Sequence, residues 1–197
     1  MTCNLEMVYD QDDWATIITE AELECVAYLK EREEEFGGQN ALDVGIGASH
    51  FLIELAHIFG RIDGLTIIEK ELDVAYNLSW IGNYKIYKQN KYDLVGMDAC
   101  LLPDYQAIVD VNLKMFSCCQ QHFEEYFRFI AQRLAPGGVL LSHSSGFGAY
   151  KDDFFPSMLS MREVEELTAG LGEEFDLSLV DSKLVKGESI IVIRRAE

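Results

Sequence analysis

The sequence predicts an α/β domain on a doubly wound, mostly parallel seven-stranded sheet. The sheet closes with an antiparallel C-terminal strand pair and carries helices on both faces. Three observations predict this. Helix-period and strand-like segments alternate through the first five strands, with no internal repeat or low-complexity stretch. The first apolar strand breaks into Gly45-Ile46-Gly47. The last two strand-like runs, Asp176–Val185 and Ser189–Ile193, are separated by the short stretch Lys186-Gly187-Glu188. That gap is too short for a parallel crossover, which needs about a dozen residues or more.

The elements follow in order. Thr19 with Glu22 forms a capping-box start for a helix running to about Phe36, which Gly37-Gly38 ends. Ala41-Leu42-Asp43-Val44 is a short buried strand. The helix after the glycine turn places Leu52, Leu55, Ala56 and Phe59 on one stripe, with Gly60 as its stop. Leu65-Thr66-Ile67-Ile68 reads as the second strand, ending on Glu69, and a helix from about Glu71 reaches the Tyr84 region. Tyr92–Gly96 reads as the third strand and Ala107–Val111 as the fourth. Phe123, Tyr126, Phe127, Ile130 and Leu134 form the apolar stripe of the next helix. Pro136-Gly137-Gly138 breaks it, and Val139-Leu140-Leu141 is the fifth strand. Ser160 with Glu163 caps a last helix, whose Val164, Leu167 and Leu171 face inward.

A length of 197 residues with 49% apolar content suits one domain, residues 1–197, with a sizeable core. No apolar run approaches the roughly 18 residues of a membrane span. The first residues lack a secretion signal, so a cytoplasmic setting is expected. The five cysteines show no CxxC spacing and read as reduced structural thiols. No spacing suggests a metal site, Asp152-Asp153 included.

The net charge is −18, which disfavours a nucleic-acid partner. Residues 1–40 hold eleven acids and two bases, half of that charge. This acidic helical segment, residues 1–38, is expected to pack over the ligand side. It reads either as a solubilising surface or as a lid that attracts a cationic substrate. Lys85, Lys88 and Lys91 read as the exposed face of a helix.

In doubly wound sheets, ligands bind beyond the carboxyl ends of the strands. There, Gly45 and Gly47 allow positive φ and close backbone approach, and the helix start near Ser49 adds N–H groups. By itself such a turn could be only a tight connection. Glu69 lies after the second strand, where a carboxylate can accept from ribose hydroxyls or serve as a helix-start acid. Asp98 with Ala99 follows the third strand, where a carboxylate can accept from an adenine amine. Asp110 ends the fourth and could orient an amine or hydroxyl acceptor, or satisfy backbone donors. His143 ends the fifth and is a candidate general base or a loop-bonding residue.

Together these segments resemble the class I S-adenosylmethionine-dependent methyltransferase family. The resemblance rests on Leu42-Asp43-Val44-Gly45-Ile46-Gly47-Ala48-Ser49, Ile67-Ile68-Glu69, Gly96-Met97-Asp98-Ala99 with Leu102-Pro103, and Leu134-Ala135-Pro136-Gly137-Gly138-Val139-Leu140. Ser49 stands where that family usually has a third glycine. The resemblance implies S-adenosyl-L-methionine as cofactor, held by Asp43, Gly45, Ile46, Gly47, Ser49, Glu69, Lys70, Asp98, Ala99 and Asp110. It implies Asp110 and His143 as candidate catalytic groups and a small-molecule acceptor, cationic if the acidic segment is a lid. Tyr150, Phe154, Phe155 and Met158 would wall the acceptor or belong to the core. Two alternatives stay open: transfer of an aminopropyl or amino-carboxypropyl group on the same fold, and a non-catalytic relative that binds the cofactor.

Overall fold

A computed structural model of the chain describes residues 16–78, 80–96, 102–115, 117, 119–147 and 159–197. Seven strands form one sheet: β1 (Asn40–Val44), β2 (Arg61–Thr66), β3 (Tyr84–Lys88), β4 (Tyr105–Val109), β5 (Leu134–His143), β6 (Phe175–Asp181) and β7 (Ser189–Arg195). Their order is β3-β2-β1-β4-β5-β7-β6. The pairs among β1 to β5 are parallel, and β7 runs antiparallel between β5 and β6. The mostly parallel sheet with an antiparallel C-terminal pair is therefore as the sequence predicts.

Helices cover both faces, because alternate residues of the central strands point to opposite sides. Leu42, Ile108 and Leu140 pack on one side with Phe123, Tyr126, Phe127 and Ile130 of α5 (Gln120–Gln132) and Val164 of α6 (Met161–Ala169). Ala41, Ala107, Val109 and Leu141 pack on the other with α1 (Glu20–Lys30), α2 (Glu33–Phe36) and α3 (His50–Leu55). The short α4 (Glu69–Tyr76) links β2 to β3 and buries Leu72 and Ala75.

Both expected N-caps are present: Thr19 accepts from the Glu22 N–H at 3.1 Å and Ser160 from the Glu163 N–H at 3.2 Å. Several boundaries differ from expectation: α4 ends at Tyr76 instead of reaching the Tyr84 region, β4 spans Tyr105–Val109, and β6 ends at Asp181 instead of Val185. The first helix breaks at Glu31-Arg32, where the guanidinium turns back to donate to the Tyr28 carbonyl at 3.1 Å. Strand β2 starts and ends earlier, at Arg61 and Thr66, because Asp63 and Gly64 belong to it. The third strand is Tyr84–Lys88, not Tyr92–Gly96, which forms a 3-10 turn with Leu94 in the core. Alternating Tyr84-Lys85-Ile86-Tyr87-Lys88 marks a half-exposed edge strand, a pattern less apolar than the buried run that follows it. Lys85 and Lys88 therefore lie on that strand, and Lys91 is buried instead of on an exposed helix face. Leu134 opens β5 instead of closing the helical stripe, since α5 ends at Gln132.

The strand order reverses between β1 and β4. Registers Val44 to Leu65 and Asp43 to Val109 align the carboxyl ends of β1, β2 and β4 at this switch point, where an open sheet leaves a crevice.

Candidate functional site

A cavity of about 300 Å³ opens at that switch point, at the lower end of the range for small-molecule sites. Its floor is made by the strand ends: Asp43 and Val44, Leu65 and Thr66, Val109 and Asp110. Gly45 and Gly47 form one wall, Ile67, Ile68 and Glu71 another, and Gln89, Asn90 and Lys91 a third. Ile17, Thr19 and Glu22 enter from the start of α1, which packs on α3, β5 and β7.

The glycine turn is bent as close approach requires. Gly45 has φ +82° and Gly47 φ +47°, and no atom lies within 4 Å of where a Gly45 Cβ would stand. At Gly45 the space a side chain would fill is open, while the N–H groups of Gly45 and Ile46 donate to the Leu65 carbonyl at 2.8 and 3.3 Å. Ser49 also adopts a left-handed conformation, at φ 58°, and sits at the N-cap of α3 without a side-chain cap bond. It is buried and does not line the cavity, and Ile46 is buried beside it. Behind the turn, Tyr84 reaches over Gly64: its hydroxyl lies 2.6 Å from where a Gly64 Cβ would be, so a side chain there would have to displace it. Burial first, then the nearby Asp43, pushes the Tyr84 hydroxyl well up.

Four carboxyls converge on the cavity. Asp43 is 4% exposed, and its Oδ2 meets no hydrogen-bond partner among the described residues. Burial, then Glu22, Glu71 and Asp110, raises its pKa well above the carboxylate range. Burial likewise pushes Glu22 up to about 7, with Glu71 adding to the rise against backbone bonds at Thr19 and Phe51. Glu71 is raised by burial, while the Thr66 hydroxyl, donating at 2.6 Å, and the Gly47 backbone oppose the rise. Like charges sharing a low-dielectric site resist joint ionisation.

Asp110 is compensated differently. Its Oδ2 accepts from Lys91 Nζ at 2.8 Å and from the Tyr126 hydroxyl at 2.7 Å. The same ammonium donates to the carbonyls of Asn112 at 2.7 Å and Leu113 at 3.0 Å. Burial lowers the Lys91 pKa, and Asp110 works against that. Lys91 thus ties down the segment after β4.

Three further expected residues, Glu69, Lys70 and His143, stand elsewhere. Strand β2 ends at Thr66, so Glu69 falls in the first turn of α4, 68% exposed and ion-paired with Lys88. Neither Glu69 nor the exposed Lys70 lines the cavity, and the carboxyl the fold delivers at that strand end is Glu71. His143 is fully buried under α1, outside the cavity lining. Its Nε2 bonds Glu24 Oε2 at 2.9 Å and its Nδ1 lies 2.7 Å from Ser145 Oγ. Glu24 also accepts from the N–H groups of Lys183 and Leu184. That network joins α1 to the ends of β5 and β6. Asp98 and Ala99, the loop with Tyr150, Asp152, Asp153, Phe154, Phe155 and Met158, and Cys118 lie outside the described residues. Among the described residues, no group of three metal-ligating side chains occurs, and no helix is long and apolar enough to cross a membrane.

Sequence reasoning missed Glu22, Glu71 and Lys91 as cavity residues. For Glu22 a signal existed: it is the third residue after the Thr19 cap, where a capping-box acid points back toward the helix start.

No protein-family model matches the chain, and no curated protein matches it by sequence. Solved structures do. The chain is similar to the N-methyltransferase NodS from Bradyrhizobium japonicum WM9 in complex with S-adenosyl-l-homocysteine. That likeness has a TM-score of 0.66 at 15% identity and covers 96% of this chain and 94% of that one. It is similar to an rRNA methylase from Streptococcus thermophilus, with a TM-score of 0.63 at 16% identity over 92% and 99% of the two chains. It is also similar to a SAM-bound amino pentose methyltransferase from Micromonospora echinaspora, with a TM-score of 0.66 at 15% identity over 92% and 94%. In strand order, antiparallel ending and near-complete coverage, the chain has the Rossmann-like fold of the class I S-adenosylmethionine-dependent methyltransferases.

Proposed function

We propose that the chain is an S-adenosylmethionine-dependent methyltransferase acting on a small molecule. The carrying observation is the cavity at the switch point, lined by the left-handed Gly45 and Gly47 beside buried Asp43. These residues fit the cofactor. The open space at Gly45 admits close approach, the apolar Leu65, Ile67 and Ile68 suit a nucleoside face, and the acidic surround suits a ligand with cationic groups. Such structures are solved with the cofactor or its product in NodS and in the amino pentose enzyme.

When bound, the cofactor supplies an electrophilic methyl group on a sulfonium. The chain's own part is placement: Gly45 and Gly47 hold the methionine end, Thr66 and Glu71 stand at the ribose end, and Asp110, fixed by Lys91, borders the transfer space. Asp98 and Ala99 are assigned to the adenine. The formal charge of −18 disfavours a polyanionic acceptor, in contrast to the rRNA methylase that shares the fold. We place the protein in the cytoplasm.

The test is a thermal-shift titration with S-adenosylmethionine, S-adenosylhomocysteine and NAD. Stabilisation by the first two and not by NAD is expected; stabilisation by NAD alone would refute the reading. Glu71→Gln is expected to weaken homocysteine-product binding more than Glu69→Gln, because only Glu71 reaches the cavity. The four acids also suit transfer of an aminopropyl or amino-carboxypropyl group to an amine. Product mass separates the readings, a one-carbon increment marking methyl transfer and a three- or four-carbon increment the alternative.

A further inference from the structure

Behind the glycine turn, three buried polar atoms have no hydrogen-bond partner among the described residues: Asp43 Oδ2, Ser49 Oγ and the Tyr84 hydroxyl. The sheet brings two of them together. Asp43 pairs with Gly64 in register, so its side chain and the Gly64 Cβ direction point to the same face. The Tyr84 hydroxyl fills the space over Gly64, and neighbouring strands lie only about 4.8 Å apart. Hydroxyl and carboxyl therefore stand side by side. Burial, and then the Asp43 charge, raises the Tyr84 hydroxyl, while the nearby Ser49 hydroxyl opposes the rise. All three groups are thus neighbours on the side of the sheet that α3 covers.

Ser49 is the unusual member. Among the described residues it alone, glycines apart, has a positive φ, at 58°, where an L side chain is crowded. Glycine would carry the same backbone without that strain. A serine at a helix N-cap ordinarily spends its hydroxyl on a backbone N–H of the first turn. Ser49 makes no such bond, and it is fully buried. Its backbone closes the turn: the N–H donates to the Ile46 carbonyl at 2.6 Å, and the carbonyl accepts from the Ile53 N–H at 3.0 Å. A buried carboxyl is costly without polar neighbours, and hydroxyl dipoles beside it reduce that cost.

We propose that the Ser49 and Tyr84 hydroxyls act together as the polar surround of the buried Asp43 carboxyl, and that both are positioning residues holding Gly45-Ile46-Gly47 in its bend. Neither one lines the cavity, whereas Asp43, Gly45 and Gly47 do. Their effect on a ligand passes through the turn. The role rests on the cofactor reading only for the identity of that ligand. Service to Asp43 offsets the backbone strain that a serine, unlike a glycine, bears at this position. Gly64 completes the arrangement, because a side chain there would displace the Tyr84 hydroxyl.

The test reads the turn both without and with ligand. Amide hydrogen exchange is followed by NMR in the unmodified chain, Tyr84→Phe, Ser49→Gly, Ser49→Ala and the double variant Tyr84→Phe/Ser49→Gly. Calorimetry gives S-adenosylhomocysteine affinity for each. The Gly45 and Ile46 N–H groups, both bonded to the Leu65 carbonyl, report opening of the turn, and buried Ile191 of β7 is the reference for global unfolding. Each single variant should speed exchange at the turn about tenfold relative to Ile191 and weaken S-adenosylhomocysteine binding about tenfold. The double variant should do no more than the stronger single one. A Ser49 that only bears strain gives the opposite sign: Ser49→Gly then slows exchange at the turn or leaves it unchanged, which overturns the proposal. Effects of the two substitutions that multiply also overturn it, since the hydroxyls would then act independently. Faster exchange at unchanged affinity overturns the positioning role, because a purely stabilising contact behaves so. Exchange that responds as expected in a chain that does not bind S-adenosylhomocysteine refutes the cofactor reading and leaves the surround of Asp43 standing.

Discussion

Lys91→Met removes a single ammonium from the structure while keeping a stem of similar length. That ammonium spends all three donors, on Asp110 Oδ2 at 2.8 Å and on the carbonyls of Asn112 and Leu113 at 2.7 and 3.0 Å. Without it, buried Asp110 keeps the Tyr126 hydroxyl among its partners in the described residues, and two carbonyls lose this donor. Stranding one partner of a buried ion pair costs about 3–5 kcal/mol. For a chain of this size that lowers the melting temperature by about 6–20 °C. Urea unfolding is the assay, with the slope m checked for constancy so that the midpoint reports stability. Lys91→Met/Asp110→Asn should recover much of the loss, since it removes the stranded charge. S-adenosylhomocysteine affinity should fall in the single variant, because Asp110, Val111 and Asn112 line the cavity. A cost below about 1 kcal/mol at unchanged m would refute the view that this lysine pins the segment after β4.

Further outcomes are expected. Glu22, held up to about 7 in the fold against 4.5 unfolded, keeps its proton longer in the native state. The native state thus binds more protons between pH 4.5 and 7, so stability falls as pH rises through that window. Glu22→Gln should flatten the fall and raise stability at pH 8 by about 1–2 kcal/mol, after discounting for partial exposure; thermal melts from pH 5 to 8 measure it. Asp43 and Glu71 push in the same direction. Glu24 behaves oppositely. Burial works to raise it, but bonds from Ser182, Leu184, Lys183 and His143 prevail and lower its pKa below 4.5. Its contribution is complete above pH 4.5 and is lost as pH falls through its lowered value. Glu24→Ala should cost about 3 kcal/mol, read by urea unfolding at pH 7, since two backbone N–H groups and His143 lose their acceptor. Gly45→Ala meets no atom within 4 Å, so its cost is the left-handed backbone alone, about 1–2 kcal/mol. Its methyl group would stand at the cavity wall, and calorimetry should show S-adenosylhomocysteine affinity reduced by about tenfold.

Much of the architecture was legible in the residues. The stripe Phe123, Tyr126, Phe127 and Ile130 announces α5 because burial on one helix face demands that spacing, and the structure buries all four. The connection from Asp181 to Ser189 is shorter than a parallel crossover needs, so the antiparallel pairing follows whatever the tertiary context. The third strand was not legible. Tyr84–Lys88 lies at the sheet edge with one face wet, so its pattern is weak, whereas Tyr92–Gly96 is apolar only because Tyr92 and Leu94 plug the core from a 3-10 turn.

The glycine turn and its following acids were visible as local pattern, since positive φ and strand-end position are properties of a few neighbouring residues. Which carboxyl faces the cavity was not. Glu69 and Glu71 are two residues apart, and on a helix that spacing turns them to different sides, so the cavity receives Glu71 and solvent receives Glu69. His143 likewise ends β5 as its sequence position suggested, yet α1 and the chain after β6 close over it and consume its ring nitrogens. The sequence by itself determined the alternation of strands and helices, apart from the third strand, and the bent turn between β1 and α3, because local periodicity and sterics decide those. Only the tertiary structure decided that Glu22, Asp43, Glu71 and Lys91 share one cavity, because each arrives on a different element and burial, not sequence distance, sets the charge they feel.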